Sequence, residues 1–89
     1  MLLKWGQLQA LAADYGAGGT VFAFPVAATI PAFGQVFTMY ITDVGMLGDS
    51  NTAATLNVFN NLNFTVIGSQ RTALVGANAT FNYLAVGIQ

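Results

Sequence analysis

From Phe81 to Gln89 the side chains alternate with a period of two. Phe81, Tyr83, Ala85 and Gly87 point one way and Asn82, Leu84, Val86 and Ile88 the other, as along an extended strand. Both sets are largely apolar, which a strand with one wetted face does not show. The pattern predicts a closing strand over 77–88 with one side in its own core and the other against another subunit. Similar alternation predicts five earlier strands. Leu2 to Gln7 is the first. Gly19 to Pro25 is the second, with Val21 and Ala23 opposing Phe22 and Phe24. Gln35 to Asp43 is the third, with Gln35, Phe37, Met39 and Ile41 on one face and Val36, Thr38, Tyr40 and Thr42 on the other. Ala53 to Phe59 and Asn63 to Gly68 are the fourth and fifth. They form a hairpin at Asn60-Asn61, because asparagine tolerates the positive φ of a tight turn.

The connections carry their own signals. Residues 8–18 have room for one helical turn at 8–13 before Gly16, Gly18 and Gly19 end it. Residues 26–34 lie between two prolines, and Pro31 cannot occupy a central strand. Segments 44–52 and 69–76 read as loops. Turn signals about every 8–12 residues, without long helical periodicity, predict an all-β fold. The expectation is one domain over 1–89, a small antiparallel six-stranded β-sandwich. In an up-and-down order the loops at 8–18, 43–52 and 69–76 share one end. The N-terminus, the 26–34 connection and the Asn60-Asn61 turn share the other. Asp14, Asp43, Asp49 and Arg71 fall in or beside the first group, and of the five charged residues only Lys4 lies elsewhere. Binding residues concentrate on loops held by a rigid scaffold. The plainer reading is that these loops are simply the wet parts of an apolar chain.

Composition sharpens the prediction of assembly. Charged residues make up 6% of the 89 residues and apolar ones 55%, against about 25% charged in an ordinary soluble domain. A domain this small buries only about 60–65% of its unfolded surface and usually needs a staple. The chain has no Cys and no His, which removes disulfides and the commonest zinc ligands. Oligomerisation is the staple that remains, and no metal or cofactor is expected. Two basic residues and a net charge of −1 exclude nucleic acid as a partner, which needs several phosphate-neutralising side chains. With no His, Glu or Cys and three Asp in separate loops, no base–nucleophile pair can be named, so an enzyme is not expected. Residues 16–42 carry no charge, but Pro25, Pro31, several glycines and the alternation rule out reading them as a spanning helix. Residues 1–6 lack the basic and apolar regions of a signal peptide.

The chain resembles the C-terminal receptor-binding domains of bacteriophage and phage-like tail fibres. The residues that carry the resemblance are Leu2-Leu3-Lys4-Trp5-Gly6, Thr20-Val21-Phe22-Ala23-Phe24-Pro25, Phe64-Thr65-Val66 and Tyr83-Leu84-Ala85-Val86-Gly87. They follow the family's order across nearly the whole chain. The family's closing aromatic is typically Trp, where this chain has Tyr83. In architecture the chain is also similar to the H-type lectins. The resemblance implies a β-sandwich in a homotrimer, an upstream fibre shaft, a place at the tip of a virion tail fibre, and binding to a bacterial surface saccharide. No sugar ligand of the family maps onto this chain residue by residue.

A glycan site needs hydroxyl acceptors and donors beside an aromatic face. Asp14, Tyr15, Asp49, Asn51, Gln70 and Arg71 supply that set at one end. The competing reading is ordinary loop solvation and turn formation. Trp5 lies on a predicted strand and is read as core or interface, the core first, rather than as a sugar platform. Tyr40 and Tyr83 are expected to be packed. The oligomer interface is expected to comprise Trp5, Asn82, Leu84, Val86 and Ile88, with Asn82 pairing near or across it to set register. Two functions compete: glycan recognition at a trimeric fibre tip, and a purely structural capsid, tail or spike component that assembles through its apolar faces. A membrane-associated β protein is a weaker third.

Overall fold

A computed structural model describes residues 1–11, 18–45, 52–70 and 79–89, with side chains for all of these except 45, 52–53 and 68–70. Its six strands are β1 (Leu2–Ala10), β2 (Thr20–Ala23), β3 (Gln35–Gly45), β4 (Thr52–Phe59), β5 (Asn63–Gln70) and β6 (Ala79–Ile88). They form two antiparallel three-stranded sheets, ordered β1-β6-β3 and β2-β5-β4. The fold is the predicted all-β sandwich, and no helix occurs among the described residues. The first strand is longer than predicted. Leu8, Gln9 and Ala10 continue β1 and pair with Phe81, Thr80 and Ala79 of β6, so no helical turn begins at Leu8. Cross-strand pairing outweighs the local helix preference of a Leu-Ala stretch.

Alternation groups the faces of β2 and β6 as read. Phe22 of β2 and Phe24 just beyond its end turn inward, and Ala79, Phe81, Tyr83, Ala85 and Gly87 turn inward from β6. Phe64 of β5 is the hub between the sheets. Its ring centroid lies 5.4 Å from Phe22, 5.1 Å from Phe24, 6.3 Å from Phe81 and 5.1 Å from Tyr83. Phe22 stacks on it, Phe24 and Tyr83 are tilted to it and Phe81 meets it edge-on; offset-stacked and edge-on pairs are the favoured ones. The Tyr83 ring passes across Gly6 of the paired strand, where an added Cβ would sit 3.0 Å from a ring carbon. Gly6 thus leaves room for the aromatic that covers it.

Three bulges interrupt the alternation, and the first corrects a predicted face. In β3, Val36 opposes Gly87 while Thr38 opposes Val86, so Phe37 is an extra residue. Val36 and Met39 both turn inward and Phe37 is exposed, whereas strict alternation had put Phe37 with Met39. A second bulge between Asp43 and Gly45 leaves Val44 exposed. A third falls between Leu56 and Val58 of β4. Each extra residue resets the period of two.

The hairpin between β4 and β5 is present, but its turn does not use positive φ. Among the described residues only Gly18 and Gly19 have it. Instead Asn60 Oδ1 accepts from the N–H groups of Leu62 and Asn63, both at 2.8 Å. This is the side-chain-to-backbone closure at which asparagine excels. The neighbouring Asn61 reaches the other sheet, where its Nδ2 donates to Gly34 O at 2.9 Å and its Oδ1 accepts from Val36 N–H at 3.0 Å.

Candidate functional site

Strand directions bring the predicted loop origins together. Ala10 pairs with Ala79, Gly45 with Thr80 and Thr52 with Gln70. The N–H of Leu11 donates to Thr20 Oγ1 at 2.9 Å. All six strand termini facing segments 12–17, 46–51 and 71–78 therefore lie at one end of the sandwich. Asp14, Tyr15, Asp49, Asn51 and Arg71 lie outside the described residues. Gln70 closes β5 opposite Thr52, and its side chain lies outside them as well. Asp43 stands near this end of β3, in register with Phe81. The other end, here called the base, is closed by Phe24 N–H on Leu62 O at 3.0 Å, Gly34 N–H on Ile88 O at 2.8 Å, and the Asn61 bridge.

The outer face of the β1-β6-β3 sheet collects every residue of the predicted interface. Register places Leu3, Val86 and Thr38 in one row, Trp5, Leu84 and Tyr40 in the next, and Gln7, Asn82 and Thr42 in a third. Ile88 continues the β6 column toward the base. Neighbouring strands are about 4.8 Å apart, so Trp5 and Tyr40 flank Leu84 on either side. Trp5 is 71% exposed and Tyr40 59%. Neither side chain belongs to the domain's own core, which overturns the core reading of Trp5, because their strands flank β6 and direct these positions outward with Leu84. Tyr83, on the inner face, is buried as expected, and burial raises its pKa. Asn82 is exposed, and its Oδ1 accepts from Gln7 Nε2 at 3.1 Å. Gln9 Nε2 donates to Thr80 Oγ1 at 3.3 Å. Among the described residues this face carries no charge; it runs from an amide-rich half near the loop end to an apolar half near the base.

Sequence reasoning passed over Lys4. On β1 it shares the inner face with Leu2 and Leu8, and it is the buried charged residue among those described, 5% exposed. The signal was a lysine at an inward position of an alternating strand. Its Nζ donates to Pro25 O and lies 5.0 Å from the centroid of the Phe33 ring, a distance at which a ring face attracts a cation. Burial lowers its pKa. The 26–34 connection folds back on itself, Ala27 and Ile30 exchanging hydrogen bonds of 3.0 and 3.1 Å. It thereby walls an open pocket of about 180 Å³ lined by Leu3, Lys4, Trp5, Pro25 and Ile30.

The described residues hold no cluster of side chains able to bind a metal ion. No helix among them is long and apolar enough to cross a membrane. No family model matches the chain, and no curated protein or solved structure matches it either.

Proposed function

We propose that this domain is the receptor-binding tip of a phage or phage-like tail fibre, working as a homotrimer that recognises a bacterial surface saccharide. The observation that carries the reading is the uncharged outer face of the β1-β6-β3 sheet, with Trp5, Leu84 and Tyr40 in one exposed row. Exposed apolar patches on this scale mark interaction surfaces. In the trimer these faces pack against one another, and Gln7, Asn82 and Gln9 supply hydrogen-bonding groups that fix register. The loop-bearing ends then lie together, away from the base. Asp14, Tyr15, Asp49, Asn51, Gln70 and Arg71 contribute the acceptors, donors and aromatic face for a sugar. The order of the strand motifs, shared with tail-fibre tips, supports the same reading.

Light scattering after size exclusion tests the assembly. The expected mass is three times the 9.3 kDa of one chain; a folded monomer overturns the trimer. A glycan array then tests the site. Arg71→Ala and Asp49→Ala should abolish a glycan signal given by the parent trimer. A stable trimer that binds no glycan points instead to the purely structural component.

A further inference from the structure

We propose that the pocket beside Lys4 binds a carboxylate carried on a compact body with an apolar side, the ammonium holding the carboxylate and Trp5 covering the body. Lys4 has three N–H donors and no acceptor. Among the described residues its partners are a carbonyl, Pro25 O, and the face of the Phe33 ring. Both are neutral, whereas a buried charge is usually paired with an opposite one. Among the described residues the one carboxylate side chain is poorly placed to serve, because Asp43 belongs to the loop end of β3. Lys4 instead pairs with Ala85, toward the base. An incoming carboxylate would gain a charge-assisted hydrogen bond, roughly twice as strong as a neutral one.

The walls set the rest of the ligand. Leu3, Trp5, Pro25 and Ile30 surround the lysine, so one side of the ligand must be apolar. A volume of about 180 Å³ equals roughly six waters at about 30 Å³ each. That admits a carboxylate and part of a six-membered ring, with the remainder against the indole. The pocket opens at the free edge of β1, at the end opposite the loop group, so it stands or falls independently of the loop-end glycan site.

Trp5 is the chain's single tryptophan and lines the pocket, so its fluorescence reports occupancy directly. The full chain is titrated with glucuronate, with glucose as the neutral counterpart, and with benzoate as a carboxylate lacking hydroxyls. The expected result is a saturable change with glucuronate at least tenfold tighter than with glucose, weakened by added salt and lost in Lys4→Met. Glucuronate binding alone identifies an acidic sugar as the ligand class; benzoate binding as well identifies carboxylates more broadly. No saturation with either acid, or glucose matching glucuronate, overturns the proposal. So does undiminished binding by folded Lys4→Met. Should that variant not fold, the comparison of glucuronate with glucose on the parent chain decides.

Discussion

Asn61 joins the two sheets from a turn. Its amide donates to Gly34 O and accepts from Val36 N–H, standing in for ladder bonds where the backbones diverge. Asn61→Ala removes both partners, at a site water partly reaches, and should cost about 1 kcal/mol in urea unfolding. Asn60→Ala, which strips the cap from Leu62 and Asn63, should cost a similar amount. The buried titratable groups make a second residue-level prediction. Burial holds Lys4 below its ordinary 10.5. Between its folded value and 10.5 the unfolded chain binds more protons than the folded one, so stability rises with pH across that window. Burial raises Tyr83 above 10.0. Above 10.0 the unfolded chain releases the phenolic proton first, so stability falls. Urea midpoints measured across the alkaline range should therefore climb and then fall. Lys4→Met should abolish the climb and Tyr83→Phe the fall.

At the scale of the elements, close approach and bulges decide what packs. An added Cβ at Gly87 would meet Gln35 O at 2.1 Å and the Phe33 ring at 2.9 Å. The first contact is backbone and cannot swing aside. Gly87→Ala should force β3 off β6 at the base and cost about 3 kcal/mol, the upper part of the usual overpacking range. Truncation at the hub, Phe64→Ala, should cost about 3–5 kcal/mol, a large share of the total stability of a domain of this size. The β3 bulge has a different role. By admitting Phe37 as an extra residue it turns Val36 inward with Met39. Both strand faces of the sequence are apolar enough to be core. The bulge selects which residues are.

For the whole molecule, the outer face of the β1-β6-β3 sheet is uncharged among the described residues, amide-rich near the loop end and apolar near the base. Leu84, between Trp5 and Tyr40, is the central test. Leu84→Lys places a charge in the middle of the face and would have to be desolvated on assembly. The expected outcome is a folded monomer by light scattering, with the far-ultraviolet circular dichroism of the parent. Persistence of the trimer in that variant would show that the copies meet elsewhere. Lys4 bears on assembly as well. β1 is an edge strand, and an inward-pointing charge is one of the devices that discourage edge-to-edge strand addition. Lys4→Met should therefore aggregate faster on heating even though its buried charge is gone.

The sequence by itself determined the fold class. A period of two over six segments leaves few folds open, and alternation alone groups Phe22 with Phe24 and Phe81 with Tyr83, Ala85 and Gly87. That the loop segments leave from one end was only a supposition of up-and-down order in the sequence, and the antiparallel pairings establish it. Tertiary structure decided three other things. It decided which of two apolar faces becomes core, because bulges in β3 and β4 change register without leaving any mark in hydrophobicity. It decided that Trp5 and Tyr40 stand outward beside Leu84, because strand neighbours are chosen by nonlocal pairing. It decided that Lys4 enters a pocket, because the walls come from Pro25 and Ile30, more than twenty positions along the chain. Local pattern records which residues share a face of their own strand. Only packing of distant strands settles what that face meets.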